Sequence, residues 1–76
     1  MNALDLNKVL GLVERAAYKG YTDAGTGFIH SEFSAKASNF IEDISKRIYG
    51  GTMSPEMAVI KAYNFGIDSY LEKSTC

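Results

Sequence analysis

The sequence is poor in the residues that cross-link or rigidify a small protein. It has one cysteine, Cys76, one proline, Pro55, one histidine, His30, and no tryptophan among its 76 residues. A single cysteine cannot close an intramolecular disulfide, and without a group of cysteines and histidines no structural zinc site is predicted. A chain of this size removes only about 60% of its unfolded surface from water when it folds. We therefore expect association into a homo-oligomer to supply further stability.

Long hydrophobic runs and an excess of one charge are also absent. Eight basic and nine acidic side chains are spread along the chain, and the formal net charge is −1. Asp5 and Lys8 interrupt the apolar residues near the N-terminus, so neither a signal peptide nor a membrane span is predicted. These features predict a cytoplasmic protein that does not bind membranes, and the lack of a basic tail disfavours nucleic acid as a partner.

Three segments show the 3.6-residue period of amphipathic helices, which predicts an all-α fold: a small three-helix bundle in a single domain, residues 1–76. The first helix covers about residues 5–19 or 5–24, because either Gly20 or Gly25 can end it. Residues 20–30 contain three glycines and no sustained period. They predict a loop, with a small two-stranded hairpin around residues 23–25 as the alternative.

The second and third helices have clearer ends. The second is predicted over about residues 32–49, where Gly50 and Gly51 stop it. The third is predicted over residues 55–72, because Ser54 is a suitable N-cap and Pro55 a suitable first residue. The expected core comprises Leu6, Val9, Leu10, Val13, Phe40, Ile41, Ile44, Ile48, Ala62 and Phe65.

The third helix has more apolar surface than a monomer of this size can readily cover. One face consists of small residues with a phenylalanine, and a second, larger apolar band continues around the helix. Either this helix is central, with the other two helices on different sides, or the second band contacts another chain. We predict the second arrangement, because an exposed apolar patch favours aggregation and tyrosine suits interfaces. The small face is Ala58, Ala62, Phe65, Gly66 and Ser69, and the predicted interface is Val59, Ile60, Tyr63, Ile67, Tyr70 and Leu71.

No catalytic motif, cofactor site or metal site is predicted. His30 precedes Ser31 and Glu32 at the expected start of the second helix, a pattern typical of helix capping. Glu42 and Asp43 point about 100° apart on a helix, and each has a basic residue four positions later. Cys76 has no neighbour in sequence that would lower the pKa of its thiol. We therefore predict that the protein is not an enzyme.

Two ligand-binding alternatives depend on other segments. The segment from Lys19 to Thr26 has backbone N–H groups and hydroxyls that could hold a phosphate, and aromatic residues that could stack on a base. This favours an oligomer that sequesters a nucleotide-like anionic small molecule. The binding residues in that hypothesis are Tyr18, Lys19, Tyr21, Thr22 and Thr26.

The second alternative is a helix-turn-helix regulator, in which Lys46 and Arg47 contact the DNA backbone and the third helix enters the major groove. The first turn of that helix opposes this interpretation. It reads Pro-Glu-Met-Ala and offers no arginine, lysine, asparagine or glutamine to the bases.

The prediction that best fits the sequence is a small non-enzymatic helical interaction protein, an inhibitor or adaptor that binds a partner protein. Small chains of this kind are often made by phages and mobile elements against host machinery, including host defence. That origin is suggested by the size of the chain and the lack of catalytic groups, and no particular residue indicates it.

Overall fold

The computed structural model describes residues 3–25 and 31–74, and this part of the chain consists of three α-helices with no strand. Helix α1 is Ala3–Ala24, α2 is Ser31–Tyr49 and α3 is Pro55–Ser74. The predicted all-α three-helix fold is confirmed. The predicted homo-oligomer stays a prediction.

Helix α1 passes through Gly20 and ends at Ala24, so the longer of its two predicted extents is the one observed. The predicted loop over residues 20–30 is therefore wrong for residues 20–24. Asp23 lies in the last helical turn, which also excludes a hairpin centred on it. The Thr22 hydroxyl donates to the Tyr18 carbonyl at 3.1 Å, and Gly25 N–H donates to the Thr22 carbonyl at 3.2 Å. Residues 26–30 lie outside the described part of the chain.

The turn between α2 and α3 forms as the sequence predicts. Gly51 adopts a left-handed conformation with φ of 80°, which glycine takes without steric cost. Its N–H donates to the Ile48 carbonyl at 3.1 Å, and Thr52 N–H donates to the Arg47 carbonyl at 2.9 Å. This is the hydrogen-bond pattern of a Schellman cap. At the start of α3, the Ser54 hydroxyl accepts a hydrogen bond from Met57 N–H at 3.2 Å.

Most interhelical contacts lie between α1 and α3. A Cβ atom at Gly20 would collide with the carbonyl of Tyr63, and one at Gly66 would collide with the carbonyl of Ala17. The two backbones therefore approach more closely than larger residues would permit. Ala58 and Ala62 of α3 are fully buried, and the close contact at Gly66 agrees with the predicted small face of the third helix.

Helix α2 packs on this pair through aromatic rings. Phe33 stacks on Tyr21 with ring centroids 4.2 Å apart and meets Tyr18 edge-on at 5.3 Å. Farther along α2, Phe40 stacks on Phe65 of α3 at 4.2 Å. The start of α2 thus lies beside the end of α1. Because α2 and α3 are joined by a short turn, α2 runs antiparallel to both other helices, which run in the same direction.

The core agrees with most of the sequence prediction. Val13, Ile44, Ile48 and Ala62 are buried, and the other predicted core residues are half-buried. Tyr21 is the main correction, because the sequence places it in the predicted loop whereas its side chain is only 1% exposed. The buried hydrophobic residues are Val13, Ala17, Tyr21, Phe33, Ala37, Ile44, Ile48, Ala58 and Ala62.

Candidate interaction surface

The six residues of the predicted interface do not share one environment. Val59 and Tyr70 pack against the core of their own chain. The ring of Tyr70 meets Tyr21 edge-on, with centroids 5.4 Å apart. These two residues therefore stabilise the bundle. Their contacts within the chain account for their burial, and their role in an interface stays a prediction.

Ile60, Ile67 and Leu71 form the outward part of the predicted band, and we call them the α3 stripe. Ile60 is 56% exposed and Leu71 is 50% exposed, while Ile67 between them is half-buried. Their spacing of seven and four residues places them within about 40° of one another on the helix. The stripe is about 16 Å long at the rise of an α-helix. The sixth predicted residue, Tyr63, borders it.

A hydrogen bond shows which side of the bundle this surface occupies. The Tyr63 hydroxyl donates to Asp23 of α1 at 2.8 Å. Asp23 lies on the opposite side of α1 from Tyr21, which contacts α2. Tyr63 therefore crosses the α1–α3 seam on the side that α2 leaves uncovered, and the α3 stripe continues from it.

The same hydrogen bond determines the local electrostatics. It is the largest single cause that lowers the pKa of Asp23, and Lys19, whose Nζ lies 3.3 Å from the carboxylate, also lowers it. Partial burial acts on Asp23 in the opposite direction. The bond to the carboxylate also raises the pKa of the Tyr63 hydroxyl. Both groups are thus held in the forms that make the bond, a neutral phenol and an ionised carboxylate.

Two exposed apolar residues lie near this surface and were not predicted. Leu12 of α1 is 53% exposed and Met57 of α3 is 46% exposed. Leu12 precedes Asp23 by three helical turns, so it lies on the same side of α1 as the Asp23–Tyr63 bond. The sequence contains a signal for it, since Leu12 stands among the polar residues of the α1 helical wheel.

The described residues of the predicted anion-binding loop belong to a helix and do not form a loop. Lys19, Tyr21 and Thr22 belong to the last turns of α1, where the helix uses their backbone groups. The ring of Tyr21 is buried against Phe33 and cannot stack on a base. Tyr18 meets the same ring. Thr26 lies outside the described residues. Within residues 18–25 the chain is helical to Ala24, and this described part contains no phosphate-binding loop.

The other charged residues singled out in the sequence have local partners. Arg47 donates to Asp43 at 2.8 Å and Lys46 lies 3.7 Å from Glu42, which agrees with the predicted spacing of four. All four are exposed on the outer face of α2. No group of three metal-ligating side chains occurs in the part of the chain that the structure describes. His30 and Cys76 lie outside that part.

A groove of about 550 Å³ lies between α2 and α3. The stacked rings of Phe40 and Phe65 line it, and an ion pair joins Lys36 to Glu72 at 3.8 Å. Charges of both signs line this groove, so it shows no preference for an anion or a cation. Its lining residues are Lys36, Phe40, Lys61, Asn64, Phe65, Asp68, Ser69 and Glu72.

None of the helices, over the described residues, combines the length and apolar character needed to cross a bilayer. Comparison with models of protein families, with curated proteins and with solved structures finds no match for this chain. The functional proposal therefore rests on the geometry and chemistry of the chain itself.

Proposed function

We propose that this protein is a non-enzymatic interaction protein that binds a protein through the α3 stripe and acts as an inhibitor or adaptor. The observation that carries the proposal is the position of Ile60, Ile67 and Leu71. They lie in one line on a helix whose opposite side is already buried against α1 and α2.

A single exposed leucine or isoleucine is common on protein surfaces and needs no explanation. The α3 stripe differs because its members are aligned at the spacing by which a helix presents anchor residues to a hydrophobic groove. Tyr63 and Met57 border it, and both residue types are enriched in the centres of protein interfaces. The stripe therefore has the composition and the length of a helical recognition surface.

A non-enzymatic role agrees with the grooves on the molecule. The groove between α2 and α3 is open to solvent, and the titratable groups around it include an ion pair between Lys36 and Glu72. Catalytic sites are typically clefts that exclude water and contain groups with strongly shifted pKa values. The open groove and its ion pair do not have this character. Among the described residues, the groups with shifted pKa values are Asp23 and Tyr63, and their hydrogen bond joins α1 to α3.

The proposal can be tested by site-specific photo-crosslinking in the cells that produce the protein. A photoreactive amino acid replaces Leu71 in one sample and Asn39 of α2, which is also exposed, in the control. We expect a defined protein adduct from position 71 and a much weaker one from position 39. Changing Ile60 to aspartate in the same chain should abolish the adduct at position 71.

Equal adducts from both positions, or an adduct that tolerates Ile60→Asp, would overturn the proposal. Circular dichroism checks that the Ile60→Asp chain keeps its helices. Ile60 is more than half exposed, so this substitution should change the free energy of unfolding little.

A further inference from the structure

We propose that the groove between α2 and α3 binds a short extended peptide that has free ends and an aromatic middle residue. The groove is separate from the α3 stripe. Lys61 and Asp68, which line the groove, lie about 100° around α3 from Ile60 and Ile67. The inference therefore goes beyond the proposed function and does not depend on it.

A buried serine without a hydrogen-bond partner opens into this groove. Ser69 is 6% exposed, and its hydroxyl forms no hydrogen bond with any residue that the structure describes. Every fully enclosed side-chain nitrogen or oxygen among the described residues has a partner, so the Ser69 oxygen must reach the space of the groove that it lines. Burying an unpaired hydroxyl costs stability. A polar ligand in the groove supplies the missing hydrogen bond.

Two opposite charges stand along the α3 wall of the groove. Lys61 and Asp68 are exposed, and neither forms an ion pair with a described side chain. They are seven residues apart, so they lie on one edge of the helix with a separation of about 10 Å along its axis. An extended tripeptide has a similar length, about 10 Å. The groove thus complements a ligand with a carboxylate near Lys61 and an ammonium group near Asp68.

An aromatic pair lies between these two charges. Phe65 follows Lys61 by one turn and precedes Asp68 by three residues, and its ring stacks on Phe40 of α2 at 4.2 Å. Both rings line the groove, so an aromatic side chain on the middle residue of the ligand contacts them. Asn64 lines the groove at the same level. Its amide both donates and accepts hydrogen bonds, as a peptide group requires.

The end of the groove beyond Asp68 favours a free amino terminus. Lys36 of α2 and Glu72 of α3 form an ion pair at 3.8 Å, one turn beyond Asp68, and so join the two walls. A longer ligand would have to pass this pair. The ammonium group instead ends beside the Asp68 carboxylate and the Ser69 hydroxyl, which both accept hydrogen bonds. The volume of about 550 Å³ lies in the range of small-ligand sites.

The test is a titration of the full chain with the tripeptide Ala-Phe-Ala, followed by the backbone amide signals in NMR spectra. We expect saturable shifts at the residues that line the groove. Ala-Ala-Ala should bind at least about tenfold more weakly, because it offers no ring to Phe40 and Phe65.

Blocked peptides identify the partner of each charge. Amidation of the carboxyl terminus should weaken binding to the original chain about two- to fivefold, the range for an exposed ion pair. It should weaken binding to Lys61→Met no further, because the partner is already gone. Acetylation of the amino terminus should behave in the same way with Asp68→Asn. Lys46→Met, on the outer face of α2, is the matched control and should respond to both blocked peptides as the original chain does.

Ser69→Ala separates a binding role from a structural one. It should weaken binding of Ala-Phe-Ala about threefold while leaving the chain at least as stable in urea, because the hydroxyl has no partner to lose within the described chain. A loss of stability with unchanged binding would show that the serine serves the fold and would overturn its place in the site.

Shifts that do not saturate, or that are the same with blocked and free peptides, would overturn the proposed ligand. Saturable shifts confined to the α3 stripe would overturn the proposed groove. None of these results changes the expected crosslink from position 71, so the two proposals fail separately.

Circular dichroism checks that Lys61→Met and Asp68→Asn keep their helices. Both side chains are exposed, so neither change should alter the free energy of unfolding much.

Discussion

Gly66 of α3 and Ala17 of α1 meet backbone to backbone. A Cβ atom at Gly66 would collide with the Ala17 carbonyl oxygen and would crowd the backbone nitrogen of Tyr21. A Cβ atom at Gly20 would likewise collide with the Tyr63 carbonyl oxygen. Because backbone atoms cannot move aside as the end of a flexible side chain can, the approach of α1 and α3 depends on both glycines.

Gly66→Ala should therefore destabilise the fold by roughly 1–3 kcal/mol through overpacking, even though alanine is the better helix former. Gly11→Ala is the matched control, because Gly11 also lies within a helix and no atom stands near its missing Cβ. That change should stabilise the fold by roughly 0.5–1 kcal/mol. Denaturant unfolding followed by circular dichroism measures both, and a stabilising Gly66→Ala would contradict the close approach.

The cap at the start of α3 is a second local test. Ser54 accepts a hydrogen bond from Met57 N–H. Ser54→Ala should cost about 1 kcal/mol of stability, because that N–H loses its partner within the chain. Ser38→Ala, at an exposed position inside α2, should change stability by less than about 0.5 kcal/mol. Equal effects of the two substitutions in thermal unfolding would be evidence against the cap.

The sequence predicts a helix end well where interactions between residues close in sequence determine it. The Gly50–Gly51 stop and the Ser54–Pro55 start depend only on neighbouring backbone groups, and both are observed. Gly20 is different, since a glycine in a helical pattern is compatible with a terminus or with a close helix contact. The choice between a helix end and a helix contact at Gly20 depends on Tyr63, which is 43 positions away in the sequence. The local pattern alone therefore could not show where α1 ends.

The candidate surface could be predicted only in part for a related reason. Helical periodicity gives the angle of each residue around α3, so the small seam and the second apolar band were both visible. It does not give the directions from which α1 and α2 pack. Val59 and Tyr70 therefore could not be separated from Ile60 and Leu71. The helical wheel of α1 marks Leu12 as exposed, but it does not show that Leu12 lies on the same side of the bundle as the α3 stripe.

The aromatic cluster predicts a marked difference between two phenylalanines of α2. Phe33 is 2% exposed and contacts the rings of Tyr18, Tyr21 and Phe65. Phe33→Ala should cost about 3–5 kcal/mol, the usual cost of emptying a buried aromatic site. Phe40 is half-buried and stacks only on Phe65 among the described rings, so Phe40→Ala should cost roughly half as much.

Urea unfolding measures this difference. If the Phe33→Ala chain is too unstable to give a folded baseline, Phe33→Leu leaves a smaller cavity and serves in its place. A Phe40 substitution more damaging than the one at Phe33 would mean that α2 packs mainly through its middle and not through its start.

The Tyr63–Asp23 bond makes stability depend on pH at both ends of the range. The pKa of Asp23 is lowered from 3.8 in the folded state, so its contribution is present above pH 3.8 and is lost as the pH falls through the lowered value. The pKa of Tyr63 is raised from 10.0, so its contribution is present below pH 10.0 and is lost as the pH rises through the raised value. In Tyr63→Phe the contribution at high pH should disappear, and the contribution at low pH should become smaller, because Lys19 alone then lowers the pKa of Asp23.

In Tyr63→Phe we expect the pKa of Asp23 to rise, because its main stabilising hydrogen bond is gone while partial burial still favours the protonated acid. Lys19→Ala should also raise the pKa of Asp23, since the ammonium group lowers it through both a hydrogen bond and its charge. Carboxyl-detected NMR titration measures the pKa of Asp23 in each chain, and Tyr49→Phe, at an exposed position far from Asp23, is the control. An Asp23 titration that is the same in Tyr63→Phe as in the original chain would show that the phenol does not hold the carboxylate in solution, and the pairing of α1 with α3 would then rest on the glycine seam and the Tyr21–Tyr70 ring contact.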